Sequence, residues 1–155
     1  MRPLLLLDID GVLYPTGNGV PPHYERRTGA DFSVVVSPRH GDWLRELAAT
    51  FELVWASTWG ERGAAIFGNL LHLPPMPVLP LERLGPHGTR KLPAVQAYVG
   101  SRPCGWVDDE LYDDAFLWGA QREAPTLLVR TSGSFGLSRT EVDDLIAFGQ
   151  LPDAE

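Results

Sequence analysis

The sequence predicts an α/β layer fold with a mainly parallel central sheet, a Rossmann-like three-layer sandwich, from three observations. Short apolar runs that suit strands buried on both faces alternate with segments of helical period along most of the chain. Three of those runs stop abruptly in acids or hydroxyls: at Asp8 and Asp10, at Ser57 and Thr58, and at Asp108 and Asp109. Proline and glycine, 14 and 16 residues respectively, punctuate the junctions without forming a repeat or a low-complexity block.

Pro3 to Ile9 reads as the first strand, ending at the polar edge Asp8-Ile9-Asp10-Gly11. From Tyr14 to Thr28 the content of proline, glycine and charge forbids regular structure, and Asp31 to Val36 offers a short strand. Residues 14–36 are therefore expected as a small flap over the end of strand one. Asp42 to Ala49 places Trp43, Leu44 and Leu47 on one helical face. Glu52 to Ala56 reads as a second buried strand running into Ser57-Thr58-Trp59-Gly60, with a helix over Ala64 to Leu71 and a proline-rich connection over Leu73 to Pro80. Lys91 precedes a helix over Leu92 to Val99, where Pro93 suits the first turn. Gly105-Trp106-Val107 is the third strand and Thr126 to Val129 the fourth, and Ser138-Arg139-Thr140-Glu141 is a capping box opening a last helix over Thr140 to Phe148. Glu110, Asp113 and Asp114 read as a solvated acidic face. Gly17-Asn18-Gly19 and Gly133-Ser134-Phe135-Gly136 read as turns, because neither has the strand-glycine-helix context of a nucleotide loop.

A length of 155 residues suits one domain spanning 1–155. A hydrophobic fraction of 44% and a mean hydropathy of -0.09 supply a core but no membrane span. The opening apolar run is broken by Asp8 and Asp10 before an export signal can form, and the single Cys104 cannot make an internal disulfide, so a cytoplasmic location is expected. Cys104 itself reads as a small core residue. A net charge of -7 and a pI near 5.0 argue against a surface that wraps nucleic acid. Of the 13 basic residues only Lys91 is lysine, which singles it out.

Ligands of parallel sheets bind at the carboxyl ends of the strands, and here those ends collect carboxylates and hydroxyls. In an extended strand residues two apart face the same way, so Asp8 and Asp10 look toward one site while Ile9 turns into the core. Neighbouring carboxylates repel unless a proton or a cation separates them. With Asp109 added the donors are all oxygen, which suits a hard cation, Mg2+ before others because it keeps waters and accepts phosphate oxygens. His23, His40, His72 and His87 show no zinc-ligand spacing.

In these residues the sequence resembles the haloacid dehalogenase-like family. Leu5-Leu6-Leu7-Asp8-Ile9-Asp10-Gly11-Val12-Leu13 is similar to the family's first motif, an apolar strand followed by DxDG, and is the most specific signal present. Ser57 matches the lone hydroxyl of the second motif, Lys91 the lysine of the third, and Trp106-Val107-Asp108-Asp109 the DD form of the fourth. Four matches in the right order imply a phosphatase working through an aspartyl-phosphate. The resemblance makes Asp8 the nucleophile and Asp10 the general acid and base whose main-chain carbonyl helps to hold magnesium. Asp109 would bind the metal through its side chain, with Asp108 supporting the metal waters or Lys91. Ser57, or Thr58 beside it, would hold the phosphoryl group, and Lys91 would offset the charge of nucleophile and phosphate. Trp59 is a candidate to stack on a substrate ring at the rim.

The intervals between motifs are too short for a cap domain, so the site is expected to be open apart from the flap. Such relatives act on large phosphorylated substrates or on small phosphate esters. The stretch Trp55 to Gly60 resembles the family's branch linked to RNA repair, while the acidic charge ranks nucleic-acid ends below phosphopeptides and mid-sized esters. A non-catalytic module that keeps the magnesium and phosphate site is the alternative, against which the intact Asp8, Asp10 and Lys91 weigh. A phosphate-receiver domain would need adjacent acids after its first strand and a later lysine, an order that fits poorly.

Overall fold

A run of four leucines with no polar alternation must be shielded on both faces, and Leu4–Leu7 (β1) is fully buried between two parallel neighbours. In the computed structural model, which describes residues 2–150, β1 is flanked by Glu52–Trp55 (β4) and Cys104–Asp108 (β5), and Thr126–Arg130 (β6) forms the far edge, giving the order β4-β1-β5-β6 with every pair parallel. Side chains alternate across the pleat. Leu5 and Leu7 enter one core with Pro38–Ala48 (α1), Gly60–Leu70 (α2) and Arg139–Gly149 (α5), through Leu44, Leu47, Phe67, Val142 and Leu145. Leu4 and Leu6, with Trp106 of β5, enter a second core with Leu92–Val99 (α3) and Asp113–Gln121 (α4), through Val95, Val99 and Ala115. These are the three expected layers, and Cys104 is a buried member of the second core. Among the described residues no helix is long and apolar enough to cross a membrane.

Two elements depart from expectation. Glu25–Thr28 (β2) pairs antiparallel with Ser33–Val36 (β3), although Tyr14 to Thr28 reads as irregular. All four β2 residues are polar and exposed, so no apolar period marks the strand; it is ordered by pairing with β3, whose Val34, Val35 and Val36 are buried. Asp113 and Asp114, expected on a solvated acidic face, open α4, in which only Ala115 is fully buried, too little to show a helical period. Asp114 is moreover engaged: its carboxylate accepts from Thr89 N at 3.1 Å and from Thr89 Oγ1 at 2.7 Å.

The hairpin of β2 and β3 lies within residues 14–36 and is tethered at both ends to backbone carbonyls. Tyr24 donates its hydroxyl to Phe135 O at 2.7 Å, and Arg62 on α2 donates to Asp31 O. The capping box is present in full, with Glu141 N donating to Ser138 Oγ at 3.3 Å and Ser138 N to Glu141 Oε1 at 2.9 Å. Removal of the Ser138 hydroxyl leaves the Glu141 amide in the first turn of α5 without its acceptor. Ser138→Ala is expected to cost about 1 kcal/mol, read from the midpoint of urea unfolding at unchanged slope.

Candidate active site

The register of the parallel strands brings the site together. Leu7 lies level with Trp55 on one side and Val107 on the other, so the next residue, Asp8, stands beside Asp108 at the carboxyl edge, and Ser57 follows two residues after the end of β4. Asp8 is 5% exposed and Asp108 1%. Lys91, at the amino end of α3, reaches between them: its Nζ is 3.1 Å from Asp8 Oδ1 and 2.7 Å from Asp108 Oδ2, and it donates to Ala56 O at 2.9 Å. A helix start is a poor place for a cation, and two carboxylates and a carbonyl offset that penalty.

Asp8, Asp108 and Asp109 each offer a carboxylate oxygen within 4.8 Å of the others, the one such metal-competent cluster among the described residues. Burial first, and then the Asp108 charge, push the Asp8 carboxyl from 3.8 up to about 8, against the pull of Lys91. Burial, Asp108 and Glu110 likewise push Asp109 up to about 6. For Lys91 burial works against the charge, but Asp108 and Asp8 outweigh it and raise its pKa. One ammonium thus neutralises part of a three-carboxylate set. The oxygen-only donors and the surplus of buried negative charge fit a hard divalent cation.

The two acids of the DD pair have different surroundings. Asp108 is committed on both oxygens, Oδ2 to Lys91 and Oδ1 to the Glu110 amide at 3.0 Å. Asp109 is half-buried, and its carboxylate lies where a Cβ on Gly11 would stand and 3.0 Å from where one on Gly133 would. Gly11 has a φ of 76°, so a side chain there would be strained as well as in collision with Asp109. The glycine of the first motif makes room for the acid of the fourth.

Asp10 has a side-chain partner of its own. Among the described residues its carboxylate is not part of the three-acid cluster; Oδ2 accepts from Trp59 Nε1 at 3.1 Å, and the residue lines a separate cavity beside the hairpin. Leu5, Leu7 and Ile9 all enter the same core, so the two-residue alternation carries on beyond the last strand residue and turns Ile9 inward between the two acids. Trp59 is held firmly: its ring meets Phe67 edge-on with centroids 5.6 Å apart and Tyr14 at 6.1 Å, its amide donates to Ser57 Oγ at 3.2 Å, and a Cβ on Gly63 would collide with it. Ser57 is buried, whereas Thr58 is exposed and lines a cavity with Trp59, Phe32 and Arg62.

The family model for the HAD domain in Swiss Army Knife RNA repair proteins matches residues 4–142, from β1 into α5 and through all four motifs. The chain belongs to this family. No curated protein is a significant match. Membership in the HAD family sets the chain among hydrolases and accounts for the sheet-edge placement of Asp8, Lys91 and the DD pair. Three features of this HAD site carried no separate sequence signal: the Trp59 bond to Asp10, the Asp114 lock on Thr89 two residues before Lys91, and Arg26 in the cavity of Asp10.

A pH dependence follows from Asp8. Between 3.8 and about 8 the folded, metal-free protein keeps a proton on Asp8 that the unfolded chain has released, so stability is lost as pH rises across that window. Melting temperatures of chelator-treated protein should fall through this range, and Asp8→Asn, which cannot ionise, should reduce the slope, most of all between about 6 and about 8, above the range in which Asp109 contributes. A wild-type slope that persists unchanged in Asp8→Asn would reject the assignment.

Proposed function

We propose that the protein is a magnesium-dependent phosphatase that hydrolyses phosphomonoesters through an aspartyl-phosphate on Asp8. The observation that carries this reading is the Lys91 bridge, which holds Asp8 Oδ1 at the sheet edge while Asp8 Oδ2 has no hydrogen bond among the described residues. In this reading Asp8 Oδ2 attacks phosphorus, the bond from phosphorus to the leaving oxygen breaks, and Asp10 gives that oxygen its proton. Water then attacks the aspartyl-phosphate, Asp10 takes the water proton back, and inorganic phosphate leaves with Asp8 regenerated. Ser57 donates its hydroxyl to the phosphoryl group, with Thr58 the alternative, and Lys91 balances the charge shared by nucleophile and phosphate. Magnesium held by Asp8, Asp109 and the Asp10 carbonyl would offset the burial and the Asp108 charge that otherwise keep Asp8 protonated and unreactive. Asp108, with both oxygens engaged, orients Lys91. Trp59 acts as a positioning residue for Asp10, and its ring forms part of the rim.

The site is read as open, with the β2–β3 hairpin as its flap and no cap domain. The RNA-repair description of the family favours a nucleic-acid end as substrate, and this raises that class above its ranking by net charge alone. An acidic protein can act on such an end if the attraction is local to the mouth of the site.

Hydrolysis of an aryl phosphate should require magnesium and vanish in Asp8→Asn. Asp10→Asn should lower kcat by roughly 10²- to 10⁴-fold on a poor leaving group and less on a good one. Trp59→Phe should show the same leaving-group dependence in weaker form, because it frees Asp10 without removing it; equal losses on both leaving groups would reject the positioning role.

Magnesium should also raise the melting temperature, on a scale of about 2.7 kcal/mol at a hundredfold excess over its dissociation constant. Asp109→Ala should abolish most of that response in thermal scans with and without chelator. A full magnesium shift in this variant would transfer the side-chain ligand to Asp108.

A further inference from the structure

If Asp10 protonates the leaving oxygen, the cavity onto which Asp10 opens receives the leaving group. That cavity has a volume of about 510 Å³ and is lined by Asp10, Thr16, Asn18, Arg26 and Val35, with the glycines on either side of Asn18. Arg26 on β2 pairs with Val35 on β3, and its Nη1 donates to Ser33 Oγ at 3.2 Å. No carboxylate lies within ion-pair distance of Arg26 among the described residues, and it is not paired with Asp10 across the cavity. The next residue, Arg27, is by contrast engaged by Glu25 at 3.4 Å. In a chain of net charge -7, a guanidinium with no acid partner on the wall of the leaving-group cavity is a preformed anion contact.

We propose that Arg26, with Asn18 and Thr16, forms a subsite for a second phosphate carried by the leaving group of the substrate. The inference rests on the phosphatase reading for the direction in which the leaving group points. A guanidinium, a carboxamide and a hydroxyl supply more donors than the two oxygens of a carboxylate can use, and they suit the oxygens of a phosphate or phosphodiester. The source of that phosphate is either a nucleic-acid backbone next to a phosphorylated end or a free nucleotide bearing two phosphates.

The test compares magnesium-loaded wild type, Arg26→Ala and Arg26→Lys on an aryl phosphate, a nucleoside monophosphate, a nucleoside bisphosphate and a short oligonucleotide with a terminal phosphate. Wild type should prefer the bisphosphate to the monophosphate, and Arg26→Ala should erase that preference by raising KM about tenfold, the scale of one charge-assisted hydrogen bond. Arg26→Lys should recover part of it, added salt should weaken it, and turnover of the aryl phosphate should stay at the wild-type level. Faster turnover of the oligonucleotide than of the bisphosphate assigns the second phosphate to a nucleic-acid backbone, and the reverse assigns it to a free nucleotide; either supports the subsite. Equal kcat/KM for bisphosphate and monophosphate in wild type, or an equal loss on every substrate in Arg26→Ala, overturns it. If wild type hydrolyses none of the four, the phosphatase reading fails on its own, and calorimetric binding of the bisphosphate then decides: tighter binding than the monophosphate, abolished in Arg26→Ala, supports the subsite, and equal binding overturns it.

Discussion

Three carboxylates held together at a buried sheet edge are the constraint on which the molecule is organised. Left to themselves they repel, and burial makes the repulsion more costly than it would be in water. Lys91 answers part of that charge, so the chain must deliver one ammonium to the gap between β1 and β5. It does so with the first residue before α3, fixed from behind by Thr89. Thr89 Oγ1 donates to Asp114 and accepts from Tyr112 N at 2.9 Å, which fastens the approach to α3 against the start of α4. The lysine reaches the site because a helix two elements further along the chain holds its approach in place.

The same economy of space governs the loops around the first motif. Asp109 fits because residues 11 and 133 are glycines, and Thr131 closes the loop over β1 by donating to Gly11 O at 2.7 Å. Thr16 N donates to Gly133 O at 2.8 Å, so the segment entering the flap and the loop after β6 are joined directly above the carboxylates. The segment of residues 14–19 and the acid cluster are therefore packed against each other. The same segment supplies Thr16 and Asn18 to the cavity that Asp10 and Arg26 also line.

Much of this was legible in the sequence where one residue type has one physical use. Short, mostly apolar runs mark the strands of a parallel sheet, and the polar ends of three of them mark the ligand edge, so β1, β4, β5 and β6, and the acids and hydroxyls beyond the first three, were legible from sequence alone. The lone lysine and the DxDG glycine were conspicuous for similar reasons. Elements ordered by partners rather than by their own pattern were not legible. β2 has no apolar residue, α4 has one fully buried residue, and the direction of the Asp10 carboxylate depends on an indole that comes from a different strand-to-helix junction. Asp114 looked like one more solvated acid because nothing local distinguishes a carboxylate facing water from one receiving a distant threonine.

The solitary status of Lys91 has a chemical consequence for the whole surface. Every other cationic side chain is an arginine, which ordinary acylating reagents and lysine acyltransferases leave intact, so the positive charges on the outside of the fold are chemically fixed. The one side-chain amine is 12% exposed and enclosed by two carboxylates that keep it protonated and unreactive. Acylation of this amine would replace the cation with a neutral amide between Asp8 and Asp108, concentrating the effect of lysine modification in the carboxylate cluster while the surface charge stays unchanged.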